Sequence, residues 1–581
     1  MNDVFGWLDR SLWFYWGTAL LAFCALLVWA ASATSMRHQN NSGGPRDGFS
    51  SSLLFALILL VWRWPFLVSA TEFDPDESQI IAGSITLTHD PVFWRSVDGT
   101  TSGPLNFYAL LPIQWLGAPI NYFTTRLVGL FLVWVALVAC YQTLKSAYGV
   151  LVGRVAVLPA VVFFSMIKEW GFVHYTSEHV SIALFSVAVA LLTIDFMRGS
   201  SGGWRTCAGV FLAGMLPWAK LQAGPLAATT VLWALWLCHR SSSDQPHQKI
   251  HRIIRTHLSA VLPSVLIMGA IVATGQTEPF YKNYIIHNVF YAGHGTSLLE
   301  ALKGLYAQSE RTRLLSAFLL SQVFIITWGA GILIWQRKRL DPVWIGAALF
   351  TLVAITSVLL PQRPFLHYTL FLILPLTLWG GAAVARLIPD APMNRSAWTR
   401  WLAIVLVGAI FPGVVRAKRT PPAVLGRLTY DWNYPRSPLG NVIHRAALPG
   451  DKLTVWGYNL RLHVDSGLPQ AARVGYTYWA INKSPLLEYH RQVLLDDLTG
   501  NRPTFFVDAV GPGSKEFQDR STQGYEIFPA LRDYIDRNYA LIGDYGTARL
   551  FVRRDQLGRP ELSPAELERS LAAGRSYVEP Y

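Results

Sequence analysis

The feature that most constrains this chain is a recurrence of apolar runs, each roughly 17 to 25 residues long, through about the first 415 positions. That is the length a helix needs to cross ~30 Å of hydrocarbon at ~1.5 Å per residue. With no water in the bilayer core to satisfy backbone N–H and C=O groups, such runs must close their own hydrogen bonds as helices. The last ~165 positions contain no run of this kind. Composition points the same way, since 52% of the 581 residues are hydrophobic and 15% are charged. This is not the balance of a water-soluble globular domain.

Twelve spans are expected, at roughly 11–34, 51–70, 122–144, 154–169, 178–197, 205–219, 222–239, 257–275, 314–335, 343–360, 365–386 and 399–415. Basic residues fill every second loop: Arg37 and Arg46, Lys145 and Arg154, Arg198 and Arg205, then Arg240, Lys249, Arg252 and Arg255. Arg337, Lys338 and Arg339, then Arg386, Arg395 and Arg400, continue the series, which places these loops in the cytoplasm by the positive-inside rule. The alternation requires a break at Lys220 between two short spans. The N-terminus, residues 71–121, residues 276–313 and everything beyond about 415 then face outward. The chain reads as a transmembrane module, 1–415, followed by an extracytoplasmic domain, 416–581, in a bacterial inner membrane. The first run, Leu12 to Ala33, is too long for a signal-peptide core and is kept as a helix, accessory to the rest.

The net charge of +13 is dispersed between apolar runs and forms no basic stripe, so it serves topology and implies no nucleic-acid partner. Cys24, Cys140, Cys207 and Cys238 all lie inside apolar runs, which leaves neither a disulfide frame nor a zinc site. In the polar C-terminal region KLTVWGY, PTFFVDAV and ARLFVRR read as strands, while LLEYHRQVLLDDL, FPALRDYIDRNY and SPAELERSLAAG read as helices. The fold class is therefore a polytopic α-helical membrane protein with a small C-terminal α/β domain.

The sharpest local signal is TEFDPDESQ, four carboxylates (Glu72, Asp74, Asp76 and Glu77) within six residues just after a span. Mutual repulsion and nearby hydrocarbon both raise a carboxylate's affinity for a proton, which suits a general base. A solvated acidic loop or a cation-binding rim is the plainer reading, and a divalent cation would find suitable oxygen ligands there. Lys220 in MLPWAKLQAGP and Arg363 in LLPQRPFLHYTL stand at outer edges of spans, the latter beside His367 and Tyr368. Cations so placed either meet an anion or snorkel as anchors. His367 alone on an apolar helix also fits a packed, hydrogen-bonded role. Glu178 and His179, in FVHYTSEHVSIALF, open a span, where Glu178 either meets a substrate hydroxyl or caps the helix. The aromatic and polar segment FYKNYIIHNVFYAG suits helices lying in the interface and adds Tyr281 and Asn288 as substrate-contact candidates.

Taken in order, FDPDESQIIAG, TSGPLNFYALLP, WAKLQAGPLA, FYKNYIIHNVFY, QRPFLHYTLFLILPL and the C-terminal VWGYN, NRPTFFVD and YIDRNYALIGDYGTARLFVRR resemble motifs of one class. It is that of the GT-C membrane glycosyltransferases, in the branch of the protein O-mannosyltransferases, aminoarabinose transferases and galacturonosyltransferases. The resemblance implies a polyprenyl-phosphate sugar as donor, a lipid, glycan or protein acceptor, and an inverting displacement. It makes Asp76 the base and Glu77 its neighbour, with Lys220, Arg363, His367 and Tyr368 near the donor phosphate, and Asp74, Glu178, His179, Tyr281 and Asn288 as weaker substrate contacts. One carboxylate is enough for such a transfer, because phosphate leaves as a stable anion and only the acceptor hydroxyl must lose a proton. A monophosphate donor demands no cofactor. The chain departs from the aminoarabinose-transferase pattern at Gly103, where that branch tends to carry a lysine before the loop proline. The competing readings are a transporter or flippase of the same lipids, which would place its site at the midplane between repeated halves, and a non-catalytic envelope assembly protein.

Overall fold

The structure is a computed structural model and describes residues 12–32, 45–240, 246–293, 295–337, 339–388 and 436–573. The chain divides into two compact units. One comprises Met1–Phe66, Leu127–Ala270 and Phe290–Thr429, the other Leu67–Arg126, Ile271–Val289 and Tyr430–Tyr581.

The first unit is helical. Among the described residues, nine helices in the chain are long and apolar enough to cross a membrane. Each of the first eleven expected spans falls on a helix, although Val150–Met166 and Trp204–Ala219 are short for a crossing, at 17 and 16 residues. The twelfth, 399–415, lies outside the described residues. The stretch Leu366–Leu387 is 78% buried and forms the centre, packing against Val150–Met166, Arg313–Trp335 and Pro342–Leu359. Small residues let these backbones approach: a Cβ added at Gly329 would sit 2.6 Å from Ala383 Cβ, and one at Gly381 would sit 2.4 Å from a Leu144 methyl. The opposite case is Pro246–Ala273, only 22% buried, whose Leu258, Val265 and Leu266 present apolar side chains outward, as lipid-facing residues do.

The first helix, Leu12–Ser32, is not an accessory, which corrects the expectation. Arg154 donates to Trp29 O at 2.7 Å and Ser32 Oγ at 2.8 Å, and Trp62 Nε1 donates to Ala19 O at 3.1 Å. Arg154 is anchored in turn by Asp47 at 2.6 Å, which also takes Lys145 at 2.9 Å and the Tyr141 hydroxyl at 2.5 Å. Such a charge cluster survives in apolar surroundings only because its members pair, so the helix that supplies it with carbonyl and hydroxyl acceptors is part of the packed bundle.

The second unit contains a four-stranded sheet in the order β1-β2-β4-β3, with β1 Leu453–Trp456, β2 Phe505–Asp508, β3 Tyr539–Tyr545 and β4 Ala548–Arg553. β1 and β2 are parallel and the other pairs antiparallel. The period-two alternation divides the strands between two cores. Leu453, Val455, Phe505, Val507, Leu550 and Val552 face Leu439, Val442 and Ile443, whereas Trp456, Phe506 and Phe551 face Leu494, Leu498, Leu531 and Ile535. The three expected strands are present, and β3 is an addition. Tyr539, Ile542 and Tyr545 suit a strand although Gly543 and Asp544 interrupt the run, and it forms at the sheet edge where β4 pairs with it through a tight turn at Gly546.

The same unit holds residues 67–126, whose backbone is tied to the sheet domain. Asp98 N donates to Arg473 O at 2.7 Å, and Gln470 N donates to Thr86 Oγ1 at 2.9 Å. The π-helix Phe280–Ile286 joins them, with Lys282 Nζ 4.4 Å from the centre of the Tyr489 ring and Phe280 edge-on to Trp94.

Asp98 is 2% exposed, and burial pushes its carboxyl up to about 7, offset in part by the Thr100 N–H and the Arg473 guanidinium. Its folded-state value lies above the ordinary one. The native state therefore holds the proton more tightly, and the resulting penalty grows as pH rises from about 4 to about 7, by ~1.4 kcal/mol per pH unit. Asp98→Asn is expected to raise the thermal midpoint of the detergent-solubilised chain at pH 8, by an amount that shrinks toward pH 4.5. An equal effect at both pH values would contradict this.

Candidate active site

In the second unit, the acidic segment folds into the start of the helix Pro75–Leu87. Asp74 takes the N-cap position and its Oδ1 accepts from Asp76 N at 3.0 Å, with Pro75 at the first helical position, where its missing N–H costs nothing. The carboxylates of Asp76 and Glu77 follow in the first turn, where the helix dipole favours negative charge. Being adjacent on a helix, they point to different faces.

Glu77 points inward. Both of its oxygens accept from Arg126, at 2.9 Å and 2.6 Å, and both side chains are 0% exposed. Arg126 also donates to Ser69 O at 2.6 Å and Thr71 O at 2.7 Å, and it lies 3.7 Å from the centre of the Phe73 ring. One guanidinium thus gathers the chain on both sides of the acidic run. Glu72 accepts the Ser78 hydroxyl, and Ser78 Oγ lies 2.7 Å from Tyr122 OH. Burial pushes the Glu72 carboxyl up, against the opposing effects of Ser78 and the positive charges of Arg461 and Lys515.

Asp76 is half-buried and accepts from the Tyr458 hydroxyl at 3.2 Å. Tyr458 lies edge-on to Tyr476, 5.1 Å between ring centres, and Tyr476 OH is 3.1 Å from Thr100 Oγ1. The four acids are engaged differently, although Asp74 lies close enough to act on both Glu72 and the Tyr458 hydroxyl. Asp74 is a helix cap, Glu77 an enclosed ion-pair partner, Glu72 a hydrogen-bonded neighbour, and Asp76 the carboxylate beside the tyrosines. Glu77, expected as a catalytic residue, is thus enclosed against Arg126, and Asp74, expected as a substrate contact, caps the helix and stays half-buried.

The first unit holds a second cluster. The helix Trp204–Ala219 ends where expected, and Lys220 takes an extended conformation before the next helical turn at Leu221–Ala223. Lys220 is 5% exposed, so it is not a snorkelling anchor. Its ammonium donates to the Glu178 carboxylate and to Ser177 Oγ at 2.8 Å, and it sits 4.6 Å from the centre of the Tyr368 ring. The expectation that Glu178 caps its helix is corrected. Ser177 holds the cap position and the Glu178 carboxylate turns to Lys220.

Tyr368 OH lies 3.5 Å from Tyr291 OH, and Arg363 lies 4.8 Å from the centre of the Tyr291 ring. His367 is edge-on to Tyr368 at 4.8 Å and stacked on Phe365 at 5.6 Å. Lys220, Glu178, Arg363, His367 and Tyr368 are thus brought together, with two cations, one carboxylate and two phenols in contact. His179 is buried away from these contacts, stacked on Tyr175, with Nδ1 3.0 Å from Thr176 N. Tyr281 is 55% exposed, whereas Asn288 Nδ2 donates to Tyr284 O at 2.9 Å and to Thr100 O at 3.4 Å, which places it beside the residue that meets the Tyr476 hydroxyl.

Sequence reasoning missed Arg126, Tyr458 and Tyr291. Arg126 carried a signal, an arginine inside the apolar run that begins at Tyr122. Tyr291 and Tyr458 lie inside FYKNYIIHNVFY and VWGYN, two of the segments that carry the resemblance, but neither was given a role there. Among the described residues no group of three or more His, Cys, Asp or Glu side chains is arranged to hold a metal ion.

No protein-family model matches the chain, and no curated protein gives a significant match. Solved structures do. ArnT from Cupriavidus metallidurans in the apo state is similar at 12% identity and a TM-score of 0.52, covering 88% of this chain and 99% of that one. The same protein bound to undecaprenyl phosphate is similar at 12% identity and a TM-score of 0.51, covering 86% and 98%. The chain shares the fold of these two structures, that of a polytopic helical membrane protein with a C-terminal α/β domain.

Removing one member of a buried pair leaves the other's charge uncompensated, at a cost of about 3–5 kcal/mol. Glu77→Gln is expected to lower the thermal midpoint sharply, and the double variant Glu77→Gln/Arg126→Met is expected to recover much of the loss. Single and double variants that melt with the wild type would refute the organising role of the pair.

Proposed function

We propose that this chain is an inverting glycosyltransferase that moves a sugar from a polyprenyl-phosphate donor to a lipid, glycan or protein acceptor at the extracytoplasmic face of a bacterial inner membrane. The observation that carries the reading is the division of labour in the acidic segment, which keeps Asp76 half-buried beside hydroxyl groups while its neighbours are engaged in holding the fold. It is supported by the shared fold with ArnT, one structure of which holds undecaprenyl phosphate.

In the proposed reaction the acceptor oxygen attacks the anomeric carbon on the face opposite the phosphate, and its proton passes to Asp76. The bond between that carbon and the phosphate oxygen breaks, and its electron pair leaves with the polyprenyl phosphate. The leaving anion needs preorganised positive charge and donors. Lys220, with Arg363 and the hydroxyls of Tyr368 and Tyr291, forms the set proposed for that task, and His367 lines it. Glu178 holds Lys220 in place between turnovers. No metal is required, because the leaving group is a monophosphate.

Asp76→Asn keeps the size and the helix start but cannot take a proton. In proteoliposomes supplied with undecaprenyl-phosphate sugars and envelope acceptors, it is expected to lower transfer by roughly 10²-fold or more. Near wild-type transfer would rule out the assigned role. Arg363→Gln is expected to raise the donor KM about tenfold with a smaller change in kcat, and an unchanged KM would remove Arg363 from the phosphate site.

A further inference from the structure

We infer that Tyr458, supplied by the C-terminal α/β domain, is a positioning residue for Asp76, its hydroxyl fixing the orientation of the carboxylate. The inference rests on Asp76 being the base. It starts from how rigidly the tyrosine is held.

Tyr458 is the second residue after β1, with Gly457 between them. The last residue of that strand, Trp456, is 0% exposed within the sheet core, and its Nε1 donates to Gln523 O at 2.9 Å. Gly457 then adopts φ +108°, a conformation that side chains resist. It is clamped there from both sides, its N–H donating to Thr477 Oγ1 at 2.6 Å and its carbonyl accepting from Thr477 N at 3.1 Å. A Cβ at this position would lie 3.2 Å from the Ala509 carbonyl carbon. The turn therefore throws Tyr458 out of the strand in one direction, and the Tyr476 ring blocks it from swinging. Tyr476 is itself buried and hydroxyl-bonded to Thr100.

The hydroxyl that results meets Asp76 Oδ1 across 382 positions of sequence. On the carboxylate side, Asp76 belongs to the first turn of a helix whose cap and inward face are already fixed by Asp74 and Glu77. Both partners therefore sit on backbone that is hydrogen-bonded in place independently of any substrate, which is what preorganisation requires. Burial, followed by the nearby carboxylate, holds the Tyr458 hydroxyl well above its ordinary pKa, so it remains a donor. A donor on Oδ1 favours the charged carboxylate and fixes which way it faces.

Tyr458→Phe keeps the ring, the edge contact with Tyr476 and the strand exit, and deletes only the hydroxyl. With undecaprenyl-phosphate sugars as the probe in proteoliposomes, kcat is expected to fall about tenfold with the donor KM unchanged. The acid limb of the kcat profile is expected to move to higher pH by about one unit. A merely structural role would lower the thermal midpoint and leave the acid limb in place. If Asp76→Asn abolishes transfer while Tyr458→Phe keeps both the rate and the pH profile of the wild type, the inference fails and the base assignment stands. If Asp76→Asn retains transfer, both fall together.

Discussion

The bidentate pair between Glu77 and Arg126 is the contact on which the acidic segment depends. Neither group is exposed, and a charge out of water persists only when it is met by an opposite charge in good geometry. Arg126 satisfies that demand and has donors left over, which it spends on the carbonyls of Ser69 and Thr71. The chain between those carbonyls and the helix start is therefore wrapped around a single guanidinium. A carboxylate at position 77 makes the wrap possible. The carboxylate at 76, one helical position earlier, is turned toward Tyr458 as a consequence.

The same rule governs the helical unit, with different results at different places. At one helix end, Asp47 is shared by Lys145 and Arg154, and the surplus donors of Arg154 bind the first helix into the bundle. At the break after Ala219, Glu178 pairs with Lys220, and the aromatic rings of Tyr368 and Tyr291 bring a second cation, Arg363, into the same neighbourhood. The first of these arrangements holds helices together. The second keeps an ammonium buried and oriented at an interrupted helix, a costly feature that packing alone does not require.

Much of this was readable from the residues. Apolar length and basic loops located the spans, because a bilayer imposes both independently of tertiary detail, and the break at Lys220 followed from the same counting. The cap role of Asp74 was also available in principle, since Asp followed by Pro opens helices, but the density of acids around it suggested chemistry instead. What could not be read were contacts between distant positions. Arg126 lies 49 residues from Glu77 and Tyr458 lies 382 from Asp76, and no local pattern encodes either meeting. β3 was missed because Gly543 and Asp544 interrupt a short run of Tyr539, Leu541, Ile542 and Tyr545, and only the pairing with β4 completes it.

The central claim is that a lipid-linked sugar is cleaved at its phosphate and not merely moved. Its most direct test is to reconstitute the full chain in nanodiscs with an undecaprenyl-phosphate sugar of defined anomeric configuration and an envelope acceptor fraction, and to follow both lipids by mass spectrometry and the product by NMR. The account predicts one undecaprenyl phosphate released for each sugar transferred, with the anomeric configuration inverted. Recovery of the donor lipid intact, or a product of retained configuration, would contradict it.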